Sequence, residues 1–428
     1  MTNSQFIPAQ GCSSPLCAFA PLRLCVELSF LSVKSVKSVV QHLFFSLALL
    51  AASTLTAPAG TSQDNTPIVI SNSVTKLIPV SVTGFTGEAD SVLKFDLSVL
   101  GLELTAPDQA QYLITGTQDT RLAGRLQQGG PGGATIFARI YSSGTPRSQA
   151  HAFADDIAKE IRGTAPIFHT RIAFCHKMSA SVTELFASDF DGHDAVQMTH
   201  DSSLVGTPSW SPGGRELFYT SWKTSFTQII KHDAASGQRS VLAGYGGGNY
   251  SPAVSPDGSK VAMILSKGGS PNLYVSDSSG GNLLQLTRER DDASSPTWSP
   301  DSREICYVVR SGRAGLRKIS VSGGTSVALR TGGISGDLTS PDWSPDGKSI
   351  IFTAGSGSFT LWVVPAAGGE AIQLVAGEDP CWAPNSRTVI FTRRVNNNKV
   401  LSLLDVPTKH VKDVIQISGS CSQPAWAR

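Results

Sequence analysis

Charge is scarce in this chain. Asp, Glu, Lys and Arg make up only 16% of its 428 residues, against roughly 25% in an average soluble protein. The two signs nearly cancel, leaving a formal net charge of +2, so neither a basic nucleic-acid binder nor an acidic solvating chain is written here. Seven cysteines are too few for a disulfide-built mini-fold, and they show no paired metal-ligand spacing. The eight histidines include no H-x-x-x-H pair that would set two imidazoles on one helix face. No G-x-S-x-G nucleophile elbow occurs. Residues 128–133 (QGGPGG) lack the Lys-Ser/Thr ending of a phosphate loop and suit a hairpin connection. What is plentiful is apolar material at 40%, together with 41 glycines and 24 prolines. That composition describes a sizeable core cut by many turns.

Only one long apolar stretch exists, Val39-Val40 followed by residues 43–52. Lys34 and Lys37 precede it and small residues follow (53–60, STLTAPAG), the pattern of a secretory leader. The run is too short to span a bilayer comfortably, and no second stretch is longer. The A-x-A-like site Ala57-Pro58-Ala59 predicts cleavage before Gly60, with a mature product soluble outside the cytoplasm. Residues 1–32 resemble neither a basic leader start nor a domain, which points to a start downstream, near Val33 or Val36. The leader carries Arg23, Lys34 and Lys37 against Glu27, so its removal takes away the whole net positive charge.

A repeat decides the fold. Pro208-Ser-Trp210-Ser-Pro212, Pro252-Ala-Val254-Ser-Pro256-Asp-Gly258 and Pro296-Thr-Trp298-Ser-Pro300-Asp are followed by Pro341-Asp-Trp343-Ser-Pro345-Asp-Gly347, Pro380-Cys-Trp382-Ala-Pro384 and Pro424-Ala-Trp426. The first prolines lie 44, 44, 45, 39 and 44 residues apart. After five of the six copies comes a β-type run (216–220, 260–264, 304–308, 349–353, 388–392). A second run follows at 185–189, 229–233, 273–277, 316–320, 361–365 and 401–405, and a third at 196–199, 284–287, 372–375 and 415–418. Four short antiparallel strands per 40–45 residues make a propeller blade. In S-P-D-G the proline presets the first turn dihedral, and the tryptophan is best placed between neighbouring blades. Residues 171–175 (RIAFC) have no P-x-W partner before them, and Pro424–Arg428 has no strand after it. Joined, they complete a sixth blade and remove a free sheet edge.

The expected class is therefore an all-β six-bladed propeller at residues 169–428, preceded by a leader at 1–59 and a small α/β domain with a mixed sheet at 60–168. In that domain, 67–70, 76–82, 110–117, 121–126 and 134–141 read as strands, and 91–100 as a helix. Residues 147–163 form a second helix with apolar positions Ala150, Phe153, Ile157 and Ile161 and Gly163 as its stop. Residues 189–194 (Asp-Phe-Asp-Gly-His-Asp) have the carboxylate spacing of a calcium-loop start, but they occupy a hairpin slot filled by D-S-S-G or V-S-G in other blades, which favours a plain turn. Cys381 and Cys421 fall in adjacent blades, where a bridge is conceivable only at a suitable Cα separation.

This layout resembles the TolB family of the bacterial Tol–Pal system. The matches are the leader, the α/β domain of about 100 residues, Pro252–Lys260 (PAVSPDGSK), residues 267–274 (KGGSPNLY) and the junction 170–174 (TRIAF). The resemblance covers about residues 60–428 and implies a periplasmic protein-interaction scaffold, most consistent with a monomer, with no enzymatic activity, cofactor, metal or nucleic acid. It implies that the propeller binds a Pal-like peptidoglycan-associated lipoprotein through Gly248, Asn249, Ser251, Ser294 and Ser295. It also implies that the mature tail, including Ile68, Val69 and Ile70, binds a TolA-like inner-membrane protein, in support of outer-membrane integrity and constriction at division. Gly248 and Ser295 stand where family members can carry larger polar side chains. The competing reading is a secreted propeller hydrolase or lyase with a metal in the central channel. It requires acidic or His side chains at equivalent channel positions in several blades, and the blade-start positions here are mainly apolar or small. A cytosolic WD-type propeller is disfavoured by the leader.

Overall fold

The computed structural model describes residues 74–428, apart from 131, 289–291, 312 and 335. The leader, the strand expected at 67–70 and the tail residues Ile68, Val69 and Ile70 lie outside the described residues.

The first sheet combines β1 (Ile78–Thr83), β2 (Leu102–Leu104), β3 (Tyr112–Gln118), β4 (Leu122–Gln128) and β5 (Ala134–Tyr141) in the order β2-β1-β3-β4-β5. β1 runs parallel to both β2 and β3, while β3, β4 and β5 form antiparallel hairpins, so the sheet is mixed. The three-residue β2 is too short to show a period of its own and was not expected from the sequence. α1 (Gly87–Val99) and α2 (Pro146–Arg162) bury Val92, Leu93, Leu97, Phe153, Ala154 and Ile157 with the inner residues of β1, β3 and β4. α2 starts where Thr145 accepts a hydrogen bond from the Ser148 N–H at 3.2 Å and Pro146 needs no donor. It stops at Gly163, whose left-handed φ of 63° returns its N–H to the Lys159 carbonyl.

Six four-stranded antiparallel sheets follow. In each, the P-x-W segment is the innermost strand. Blade III shows the pattern: Asn249–Val254, Lys260–Leu265, Asn272–Asp277 and Leu284–Gln285. Blade I is made from both ends of the ring. Cys421–Trp426 pairs antiparallel with Arg171–Lys177, setting Trp426 opposite Ile172 and Cys421 opposite His176. The motif tryptophans pack against the preceding blade. Trp298 is buried with Ala262, Ile264 and Leu273, and its indole N–H donates to the Ala253 carbonyl at 2.8 Å; Trp343 packs with Cys306 and Val308. One strand falls elsewhere than expected. The outer strand of blade VI is His410–Asp413, and residues 415–418 form a turn. The hairpin after Asp405 is tight, with Lys409 at φ 55°, so pairing restarts early. Ile415 is left 79% exposed, which removes the apolar gain a strand there would have had.

The innermost strands run from an upper face, where the pre-proline residues lie, to a lower face carrying the S-P-D-G turns. The α/β domain docks on the lower side of blades I and VI. Phe190, from the blade I hairpin, is fully buried among Phe95, Phe168, His151 and Trp426. Its neighbour Asp191 pairs with Arg147 of α2, both side chains buried. From blade VI, the Pro407 carbonyl accepts the Thr75 N–H at 2.9 Å and His410 contacts Ser98 at 3.1 Å. Among the described residues, no helix is long and apolar enough to cross a membrane.

Candidate partner-binding face

One feature recurs at all six innermost strands. The residue before the first proline of each motif, Thr207, Ser251, Ser295, Ser340, Asp379 or Gln423, has a left-handed backbone with φ between 49° and 54°. Each copy also carries a break in strand register there, as between Tyr250 and Ala253 or Ser294 and Thr297. A non-glycine residue in this region costs on the order of 1 kcal/mol, and six repeats of the cost imply six compensations. The backbone N–H groups supply several of them. Ser251 N–H donates to Thr220 Oγ1 at 3.1 Å, Asp379 N–H to Thr353 Oγ1 at 3.2 Å and Gln423 N–H to Thr392 Oγ1 at 3.2 Å. The bulge turns the six side chains toward the central channel, where they and the six prolines line a cavity of about 380 Å³.

A second ring lies below it, at the residue between Pro and Trp. Ser209, Thr297, Asp342 and Cys381 each accept a hydrogen bond from the backbone two positions after the proline of the next blade, at Val254 (3.1 Å), Trp343 (3.2 Å), Trp382 (2.7 Å) and Trp426 (3.3 Å). These positions stitch blade to blade. Arg428 reaches into the same level, contacting the Asp342 carboxylate and donating to the Trp382 carbonyl at 3.1 Å. Burial lifts the Asp379 carboxyl above the ordinary carboxylate range, with nearby Glu378 adding to it, while Ser340 Oγ donates to it at 3.2 Å.

The residues singled out from the sequence divide between rim and interior. Ser251 and Ser295 line the channel, and their hydroxyls make no hydrogen bond to another described residue. Ser294 lines an adjoining upper-face cavity of about 350 Å³ with Trp222, Tyr250, Asp292 and Arg310. Gly248 and Asn249 are buried. Asn249 Nδ2 donates to the Thr227 and Tyr245 carbonyls, both at 2.8 Å, and Oδ1 accepts the Tyr245 N–H at 3.0 Å, so this side chain clamps the loop 245–248. A Cβ at Gly248 would fall 2.0 Å from the Tyr250 ring; the tyrosine occupies the space that a larger residue at 248 would need. Trp222 and Tyr250 were not picked out from the sequence. Trp222 is 39% exposed, and its ring lies 6.2 Å from that of Tyr250. Its signal was available, since it is one of two tryptophans outside the P-x-W repeat.

The donor set bears on the metal-channel alternative. Channel carboxylates come from two blades, Asp342 and Asp379. Among the described residues, the single group of three metal-capable side chains within reach of one another is Asp189, His193 and Asp194, on the blade I hairpin and away from the channel. There Asp191 turns to Arg147 and accepts the His193 N–H at 3.1 Å, which completes a hairpin turn. Cys175, Cys306, Cys381 and Cys421 are free thiols; burial pushes Cys306, Cys381 and Cys421 up to about 12 and Cys175 higher still, so none is a reactive thiolate.

A six-bladed ring with this bulged P-x-W rim invites comparison with known propellers. The model of the TolB beta propeller domain matches residues 159–428, more than half of the chain. The chain belongs to the TolB β-propeller family. Among its relatives are the Tol-Pal system protein TolB of Anaeromyxobacter dehalogenans strain 2CP-1, 27% identical over 296 residues (59% of this chain and 67% of the relative), and that of strain 2CP-C, 28% identical over 297 residues with the same coverage. The crystal structure of TolB from Acinetobacter baumannii superposes with a TM-score of 0.73 at 20% identity, covering 83% of this chain and 97% of that one. That likeness extends the fold match to the α/β domain, which the family model barely touches.

Proposed function

We propose that this chain is a periplasmic scaffold of the Tol–Pal system, a non-enzymatic monomer delivered by a leader cleaved near Ala59. Its propeller holds a Pal-like peptidoglycan-associated lipoprotein on the upper face, and its mature tail engages a TolA-like inner-membrane protein. By joining the two it supports outer-membrane integrity and envelope constriction at division. The observation that carries the reading is the family match coinciding with an upper face whose Ser251 and Ser295 hydroxyls are uncommitted beside the Trp222–Tyr250 cavity. Free donors next to an aromatic-lined hollow are what a protein interface uses as anchor and rim. Ser251, Ser294 and Ser295 are the propeller contacts in this reading, while Gly248 and Asn249 shape the loop beside them. Ile68, Val69 and Ile70 are the apolar part of the tail contact.

Calorimetric titration of the mature protein with the Pal homologue of the same cell tests it. Ser295→Arg is expected to weaken binding at least tenfold with the melting temperature unchanged. Deletion of residues 60–73 is expected to abolish capture of the TolA homologue while leaving Pal binding intact. Absence of Pal binding by the unaltered protein overturns the reading.

A further inference from the structure

The blade I hairpin, whose carboxylates suggested an ion loop, has a different use in the fold. Phe190 at its tip is a plug in the base of the α/β domain. The wall of its socket contains an ionisable pair: His151 Nδ1 of α2 lies 2.7 Å from Asp96 Oδ2 of α1, with Asp96 fully buried and His151 4% exposed. The Phe190 ring stands edge-on to the imidazole at 5.6 Å and contacts Phe95, next to Asp96, at 6.1 Å. Phe168, from the connector between the two domains, stacks on His151 at 6.3 Å and packs against Phe190 at 5.2 Å. The outward atoms of the pair, Asp96 Oδ1 and His151 Nε2, are buried without a hydrogen-bond partner. Such orphans cost about 1–3 kcal/mol each, and more when charged. A buried ionisable pair with two unsatisfied atoms, walled by Phe190, Phe168 and Phe95, is sensitive to how many protons it holds.

We propose that docking of the α/β domain on the propeller is proton-controlled, with Asp96 and His151 beneath the Phe190 plug as the proton-holding pair and acid favouring the docked state. Burial fixes the sign, and the charged groups facing the pair modulate it. Asp191 on the hairpin and Asp155 on α2 both disfavour a charged Asp96, and His151 favours it. Arg147 is committed to Asp191, His169 of the connector pairs with Asp155 at 3.3 Å, and Lys412 of blade VI lies over the Phe95 ring at 5.7 Å. Burial is the largest influence and lifts the Asp96 carboxyl to about 7 in the docked state, whereas a hydrated Asp titrates near roughly 4. The docked form therefore retains a proton that the open form releases. The docking contribution is complete below about pH 4 and is lost as pH rises through about 7.

Amide hydrogen exchange on the full chain, corrected for the intrinsic pH dependence of exchange, reads this directly. The probes are Ile167 and Phe168, buried connector residues whose N–H groups bond to Asp155 Oδ1 at 2.9 and 3.3 Å. Their opening equilibrium is expected to rise roughly tenfold per pH unit between about pH 5 and 7 and then level off, while Ile157 in the interior of α2 stays protected. Asp96→Asn, a permanently neutral mimic, is expected to flatten the profile and to hold the connector closed at pH 8. A flat profile in the unaltered chain, parallel opening of Ile157, or more exchange in Asp96→Asn at every pH (the mark of a charged pair) each overturns the proposal. If the variant does not fold, the carbon-13 titration of the Asp96 carboxyl in the unaltered chain decides: a midpoint near 7 supports it, and one near 4 refutes it.

Discussion

Blades I and III use the same slot of the repeat in opposite ways. In blade III the hairpin after Asp277 is a short polar turn, closed by the Gly280 N–H to the Asp277 carbonyl at 2.8 Å and by Asn282 to the Asp277 carboxylate at 2.6 Å. In blade I the equivalent hairpin carries Phe190 and Asp191, both buried, and the α/β domain rests on them. Local turn chemistry is the same in both, with a glycine at positive φ, Gly192 and Gly280. The difference lies in two side chains, Phe190 and Asp191 where blade III has Ser278 and Ser279; the aromatic one in water would be a liability and in its socket is an anchor. A repeat thus reports the fold, and its departures report where the fold is put to use.

The sharpest way to break this comparison is to truncate both hairpins. Phe190→Ala is expected to cost about 3–5 kcal/mol, as for other fully buried aromatics, visible as a lowered urea midpoint for the α/β domain and its docking. Ser278→Ala in blade III is expected to stay within about 0.5 kcal/mol. Equal losses for the two would mean that the blade I hairpin is only another turn.

The sequence carried the propeller because its signal was redundant. Six prolines at a nearly constant spacing, five tryptophans at one register position and the two orphan halves of blade I all pointed to the same ring, and the pairing of Trp426 with Ile172 closes it as the motif order implied. The rim was harder to read. The left-handed backbone at Thr207, Ser251, Ser295, Ser340, Asp379 and Gln423 falls on four kinds of side chain, and none is glycine or asparagine in the place where a positive φ would announce itself. The stabilising partners, such as Thr220 for Ser251, come from another blade, and single-sequence periodicity contains no information about that. For the same reason position alone did not separate Asn249, enclosed by Thr227 and Tyr245, from Ser251, which opens to the channel.

That last pair offers the next test, in which two residues two positions apart should behave differently. Asn249→Ala leaves the Thr227 and Tyr245 carbonyls and the Tyr245 N–H without their partners in a buried loop, a loss of about 2 kcal/mol. Chemical denaturation of the two variants side by side measures it. Ser251→Ala removes a hydroxyl with no described partner and is expected to leave stability within about 0.5 kcal/mol. A Ser251 variant as unstable as the Asn249 one would show that the rim is a structural element and not a free surface.

The smallest effect belongs to an ion pair that differs from Arg147–Asp191 in being wet. On the upper face Lys223 donates to Asp201 at 2.9 Å and is 57% exposed, while Arg239 binds the same carboxylate at 3.1 Å. Partial burial works against the Asp201 charge, but the two cations outweigh it and hold the carboxyl below its ordinary value. The pair therefore contributes above the usual carboxylate range, and the contribution is lost as pH falls through the lowered value. Lys223→Ala removes one cation and leaves the other, at an exposed site where water and salt already screen the attraction. The expected cost is about 0.5 kcal/mol or less at pH 7, shrinking in 1 M salt and vanishing once pH falls below the lowered Asp201 value, read from urea midpoints under the three conditions. A larger, salt-independent loss would put the upper-face pair in the same class as the buried pair under the α/β domain, and exposure would then no longer be what separates the two faces.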